Sequence, residues 1–274
     1  MAHKQMMMFQ AEAREKVLRG AAATAVSLVV ALDHAHARFF LVREQETTEL
    51  PCLVSPRMRG GRFHSDRQDS PGWNEGDFHG RRREEVRRHV AAVARRIAGE
   101  LRAHDAQEVI LGGSAPVVAA LQRALPATVV RQVAGTTPLN PVELTPARVA
   151  RVTPAVHRSH ARLLQTEWLG RLQAAYGRHL AATGLRDVLH ALAQDQVRTL
   201  LVAHGFTRSG FRCAGSGRLV LTKADAQGES VIRVGDVVAA AQNDTRTLGG
   251  QVIDIEDPEL AARIDGVAAL LRHR

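Results

Sequence analysis

The chain has 274 residues, room for two domains, and 45% of it is hydrophobic, so global disorder is excluded and a sizeable core is expected. Its 37 Lys and Arg against 28 Asp and Glu leave a formal charge of +9, which points to a polyanionic partner, either nucleic acid or an anionic membrane surface. Two distant cysteines, Cys52 and Cys213, offer no disulfide framework and fit a reducing cytoplasm, and no apolar run reaches the roughly 18–20 residues of a membrane span.

In chain order, a short charged helix is predicted over 9–19. The apolar run over 21–32, with Arg19 ahead of it, has the outline of a signal peptide. It is short, rich in β-branched residues, and flows into a second strand-like run, so it reads as a buried strand over 26–32. Strands over 38–42 and 50–54 follow, and the link Asp33-His34-Ala35-His36-Ala37 suits an antiparallel meander.

The polar segment 55–80 has little periodicity, and long loops inside compact domains are functional or disordered. Within it, Gly60 and Gly61 sit among Arg57, Arg59, Arg62 and Arg67, with Phe63 beside them. A glycine pair allows close backbone approach, and arginines supply planar, permanently charged donors suited to phosphates. This is either a solvated surface turn or an exposed basic tip that probes RNA. Trp73 and Phe78 lie in the same segment and could stack on bases.

A helix is predicted from 81, with Val86, Val90, Val93, Ile97 and Leu101 as its buried stripe and Arg81, Arg82, Arg88, Arg95 and Arg102 opposite. The run Arg81-Arg82-Arg83 precedes Glu84 and Glu85, so it is either a solvated helix start with local ion pairs or an RNA-backbone contact. A strand over 108–111 comes next, then a helix capped by Ser114 with Pro116 in its first turn, and a strand over 128–132. This βαβ pattern after a meander describes a mixed sheet covered by helices. Pro138, Pro141, Pro146 and Pro154 mark an irregular connector before a helix over 156–180.

A domain boundary is expected near Ala182. Beyond it, helices over 185–193 and 236–248 alternate with strands over 197–202, 218–221, 251–255 and 267–271, a small three-layer α/β domain. The expected organisation is an N-terminal lead-in (1–25), a central domain (26–182) and a last domain (183–274).

The stretch TGLRDVLHALAQDQVRTLLVA over 183–203 and the closing GVAALLRHR from Gly266 resemble the third domain of the archaeo-eukaryotic class-one peptide chain release factor family, in particular its bacterial branch. The part from Leu28 to about Arg131 resembles that family's second domain. The resemblance implies a ribonuclease-H-like mixed-sheet central domain, followed by a smaller α/β domain of the release-factor third-domain type. It also implies that the Gly-Gly loop corresponds to the glycine-glycine-glutamine loop with which release factors reach the peptidyl-transferase centre. Only about 25 residues precede the first strand, so the family's stop-codon-reading first domain is not expected here.

The loop departs from the family pattern at Arg62, which stands in the glutamine position. Ester hydrolysis needs a water placed with fixed donor geometry, and a long, charged guanidinium is a poor replacement for a neutral amide. A literal Gly249-Gly250-Gln251 occurs in the last domain, where the glycines read as a helix terminator. Cys213 and Ser216 fall where some relatives carry paired cysteines, too few for a zinc site. His34 and His36 alternate at a strand turn, and His157 and His160, three apart on a helix, lack an accompanying carboxylate at helical spacing. No Walker loop, dinucleotide fingerprint or Ser-His-Asp pattern is present, so no cofactor, metal or catalytic residue is expected.

The resemblance implies a cytoplasmic ribosome-binding translation factor, a hibernation or stress factor occupying the A site without peptide release. The alternatives are a ribosome-rescue peptidyl-tRNA hydrolase or nuclease, and a general RNA-binding protein. Ribosomal RNA would be contacted by Arg57, Arg59, Gly60, Gly61, Arg62, Phe63, Arg67, Trp73, Arg81, Arg82 and Arg83. A translational GTPase is a candidate partner; membrane and DNA are not expected.

Overall fold

The computed structural model describes residues 26–44, 46–56 and 75–273, and for 75–79 and 81 it describes the backbone alone. The Arg57–Arg67 loop, Trp73, and the helix predicted over 9–19 therefore lie outside the described residues. Two compact units result, Ala23–His160 and Ala161–Arg274.

The first unit is built on strand β1 (Ser27–Leu32), whose six residues are all buried. Alternate residues of a strand face opposite sides of a sheet. Leu28, Val30 and Leu32 accordingly enter one core, while Val29 and Ala31 enter another. On one side β1 pairs antiparallel with β2 (His36–Arg43), and β2 pairs antiparallel with β3 (Glu46–Val54). On its other side β1 runs parallel to β4 (Glu108–Gly113), which runs parallel to β5 (Val133–Thr137). The five-stranded sheet thus has the order β3-β2-β1-β4-β5.

Helix α1 (Glu75–Ala103) and helix α2 (Ala115–Ala124) cover the face bearing Leu28, Val30 and Leu32, through Val90, Val93, Ile97 and Leu101 and through Val117, Val118 and Leu121. The opposite face is closed by Leu139, Leu144 and Val149. Val149 belongs to helix α4 (Pro146–Tyr176), and Val152 and Val156 of the same helix pack alongside. The mixed sheet between helical layers agrees with the predicted fold class.

Three boundaries differ from expectation. The segment 128–132 is not a strand: Pro126 opens a one-turn helix α3 (Ala127–Val130), and the strand β5 follows it. Proline's fixed φ suits a helix start, and here it outweighs the β-branched Thr128, Val129 and Val130. Helix α4 begins ten residues before the predicted 156, because Pro146 opens it and Pro154 sits inside it rather than in a connector. Helix α1 begins at Glu75, six residues before Arg81.

The second unit contains a four-stranded sheet in the order β11-β7-β12-β6. Its strands are β6 (Ala181–Thr183), β7 (Val197–Ala203), β11 (Gln251–Ile255) and β12 (Val267–Leu271). Helices α5 (Leu185–Ala193) and α6 (Val237–Thr247) bury Val188, Leu189, Leu192, Val237 and Val238 against one face, with Leu200 and Val202. Leu169 and Leu172, on the later part of α4, and Leu260 of the one-turn helix α7 (Pro258–Ala261) pack on the other face, with Leu201, Ile253 and Ile255. A small antiparallel sheet of β8 (Gly210–Cys213), β9 (Leu219–Val220) and β10 (Val231–Val234) completes the unit. Of these short strands only β9 was predicted, and β6 was not. No helix among the described residues is long and apolar enough to cross a membrane.

Ile97 is fully buried between α1 and the sheet. Ile97→Ala is expected to destabilise the first unit by about 2–5 kcal/mol, the usual cost of a large-to-small core change, as a lowered urea midpoint.

Candidate functional site

The segment that carries the Gly-Gly loop leaves the sheet at a fixed place. Because β1 and β4 run parallel and β3 points the same way, Leu32, Gly113 and Val54 end at one edge of the sheet. Open α/β sheets place their ligand sites outside the carboxyl ends of their strands. Residues 57–74 depart from this end, between Pro56 and Glu75.

Local hydrogen bonds hold the departure point. Asp33 accepts from the backbone N–H of Ala35 at 2.7 Å and of His36 at 2.8 Å, which closes the β1–β2 turn. Burial raises the Asp33 pKa, but these two N–H groups and the His36 ring more than offset it and hold the carboxyl below its ordinary value. The backbone N–H of Ser55 bonds the Ala35 carbonyl at 2.8 Å, and the Ser55 hydroxyl lies 2.7 Å from Nδ1 of buried His89 on α1. Turn, edge strand and helix are thereby tied together two residues before residue 57.

Arg82 and Arg83 are exposed, and with His34 and Val86 they border an open hollow at this end. The side chain of Arg81 lies outside the described residues, as do Arg57, Arg59, Gly60, Gly61, Arg62, Phe63, Arg67 and Trp73. The acidic residue next in the chain serves other arginines. Glu84 meets Arg87 at 2.7 Å and Arg88 at 2.9 Å, and those two guanidiniums, Arg87 foremost, hold its carboxyl down at about 2. Arg82 has no ion pair among the described residues. The structure therefore brings Arg82 and Arg83 together at the carboxyl end of the sheet.

The opposite end holds a polar cluster that the sequence reading missed. Ser27 and Glu108 are register partners on β1 and β4, and both are buried. The Nε2 of His157, on α4, lies 3.1 Å from the Ser27 hydroxyl and 3.2 Å from Glu108 Oε2. A hydrolytic triad needs the base to face the nucleophile with one nitrogen and the acid with the other. Here both partners share Nε2, and Ser27 is 0% exposed, so this trio holds the sheet to α4 and cannot activate a substrate. Burial pushes the Glu108 carboxyl up and the His157 imidazole down, with His160 adding to the latter. The one signal in the sequence was a lone carboxylate opening an apolar strand.

The literal Gly249-Gly250-Gln251 terminates α6. Gly249 has φ 70°, its N–H bonds the Arg246 carbonyl at 3.0 Å, and the Gly250 N–H bonds the Thr245 carbonyl at 2.8 Å. This is the Schellman arrangement, and Gln251 then opens β11. A Cβ on Gly250 would come within 2.7 Å of the Thr245 side chain. Cys213 is buried with Val220 and Ala226, and the Ser216 hydroxyl donates to Glu229 at 3.0 Å. Among the described residues, no three His, Cys, Asp or Glu side chains gather as metal ligands.

Comparison with known proteins accords with this architecture. Residues 26–178 match the model of bacterial archaeo-eukaryotic release factor family 2, more than half of the chain, and the protein belongs to that family. No curated protein matches the sequence. Among solved structures, an archaeal Pelota from a ribosome-bound assembly with ABCE1 shares the fold, with TM-score 0.51, 19% identity, and 93% of this chain and 64% of that chain covered. Dom34 of S. cerevisiae, a translation termination-like factor, matches with TM-score 0.49 and 11% identity, covering 98% of this chain and 66% of that one. An archaeal translation termination factor, aRF1, matches with TM-score 0.35 and 14% identity, covering 90% and 62%. The chain spans less than two thirds of the length of aRF1 and of the ribosome-bound archaeal Pelota.

Two measurements check these assignments. Gly249→Ala is expected to cost about 1 kcal/mol, read as a lowered urea midpoint, because an L-residue is strained in the left-handed region. Glu108→Gln tests the buried cluster. A raised folded-state pKa contributes stability below the ordinary value of 4.5 that is lost as pH rises through the folded value. The urea midpoint of Glu108→Gln should therefore gain on that of the parent between acidic and neutral pH. His157, with its lowered value, contributes above 6.5 and loses that contribution as pH falls through its folded value, in parent and variant alike.

Proposed function

We propose that this member of the release-factor family is a ribosome-associated translation factor that occupies the A site without releasing the nascent peptide, in a hibernation or stress role. The observation that carries the reading is the family match over residues 26–178, which includes the whole five-stranded sheet and the segment leaving its carboxyl end. That segment holds Gly60 and Gly61 followed by Arg62 where the hydrolytic loop of release factors has glutamine.

In this reading Gly60 and Gly61 allow the backbone to approach RNA closely, and Arg57, Arg59, Arg62 and Arg67 bind phosphates. Phe63 and Trp73 stack on bases, and Arg81, Arg82 and Arg83 extend the basic surface along the start of α1. A guanidinium holds phosphate well but is long and always charged, so it does not place a neutral water at an ester carbonyl. The Ala161–Arg274 unit would dock on ribosomal or factor surfaces, a translational GTPase among them.

The test uses the full chain and purified bacterial ribosomes carrying peptidyl-tRNA. The expected result is co-sedimentation that weakens steeply with salt, with no peptide released. Arg59→Ala combined with Arg62→Ala should weaken binding by about tenfold and reduce the salt slope by roughly 2, one per phosphate contact removed. Peptide release or tRNA cleavage would overturn the non-catalytic role. Binding no tighter than to arbitrary structured RNA would remove the ribosome from the reading.

A further inference from the structure

Helix α4 presents a second arginine face, on a different helix from Arg82 and Arg83 of α1. Arg148, Arg151 and Arg158 are all exposed, and none has an acidic partner among the described residues. At 100° per residue they fall within an arc of about 80°, spread over about 15 Å of helix. Val149, Val152 and Val156 of the same helix pack into the core, so burial fixes which way the arginine arc points. Pro154 and Ala155 lie exposed between Arg151 and Arg158 and leave the face low enough for a large partner to reach all three.

The rest of the chain supplies the contrast. Farther along α4, Arg162 pairs with Asp257 and Glu259, and Arg171 pairs with Glu167. On α1, Glu84 serves Arg87 and Arg88, and Glu100 serves Arg96. From Pro146 to Thr166 there is no Asp or Glu at all. Like charges three residues apart on a helix repel, so an uncompensated cluster is unfavourable in the free chain. An external polyanion would remove that repulsion. Separated guanidiniums in one arc suit successive phosphates, since each can form a bidentate, charge-assisted pair.

We infer that Arg148, Arg151 and Arg158 form a second binding surface for the phosphodiester backbone of structured RNA, on the sheet face opposite α1. The inference rests on the reading above in taking RNA as the polyanion. It adds a contact on a different helix, so the protein would engage RNA through two layers of its first unit.

The experiment compares three full-length proteins: the parent, the triple variant Arg148→Gln, Arg151→Gln, Arg158→Gln, and the loop variant Arg59→Ala, Arg62→Ala. Binding to purified bacterial ribosomes is measured across a salt series, with thermal melts confirming that each protein is folded. The triple variant is expected to bind at least about tenfold more weakly, with the salt slope reduced by 2 to 3. Unchanged affinity and slope in the triple variant, alongside weakened binding by the loop variant, would overturn the inference and leave the ribosomal reading standing. If the parent does not bind ribosomes, that reading falls, and an RNA duplex of about 20 base pairs decides the inference alone. Loss of duplex binding in the triple variant would support it, and equal binding would overturn it. Competition by polyglutamate as effective as by RNA would also overturn it, by making an acidic protein the better partner.

Discussion

With Leu28, Val30 and Leu32 in one core and Val29 and Ala31 in the other, β1 is dry on both faces. A strand in that position cannot be an edge, because its backbone donors and acceptors need partners on both sides. The antiparallel β2–β3 ribbon satisfies one side and the parallel β4 the other. The mixed character of the sheet follows: the ribbon arrives by tight turns, while β4 must return through the long crossover that contains α1. That crossover is also what carries the Gly-Gly segment. A chain leaving the edge strand β3 and re-entering through α1 begins its crossover at the carboxyl end of the sheet, after Val54.

Charge follows a different logic on the two helical layers. On α1, arginines 87, 88 and 96 have carboxylates one turn away, and Arg96 also stacks over Phe39 at 4.4 Å. Such pairs lie at helical spacing and keep the helix soluble, with little net energy when exposed. On the early part of α4 the acids run out, and exposed Arg148, Arg151 and Arg158 have no acidic partner among the described residues. Positive charge is therefore unevenly balanced over the first unit, compensated along the middle of α1 and uncompensated on the other layer.

Much of this was legible in the sequence where burial imposes a period. The stripe Val86, Val90, Val93, Ile97, Leu101 fixed the face of α1, and the alternation of β1 with β2 announced the meander. What was not legible lacked a period or depended on distant residues. Strand β6 has three residues, Ala-Ala-Thr, and exists because Ala268, Ala269 and Leu270 of β12 offer it an edge. Strands β8 and β10 are four residues each and pair with one another. Prolines of the expected connector misled twice, since Pro146 opens helix α4 and Pro154 lies inside it. The cluster of Ser27, Glu108 and His157 joins residues up to 130 positions apart, and no local pattern links them.

The two glycine pairs show how far a motif's letters can be trusted. Gly249-Gly250-Gln251 spells the hydrolytic triplet, yet each of its atoms has a structural employer: Gly249 turns left-handed, Gly250 fits against Thr245, and Gln251 pairs with Thr199 in the sheet. A segment whose backbone is consumed by a helix cap and a strand has no freedom to enter another molecule's active centre. Gly60-Gly61-Arg62 lacks the letters, but in the sequence it falls between β3 and α1, inside the stretch that matches the family. Under the proposed function the residue after the pair decides its action, and an arginine favours holding RNA over hydrolysing an ester.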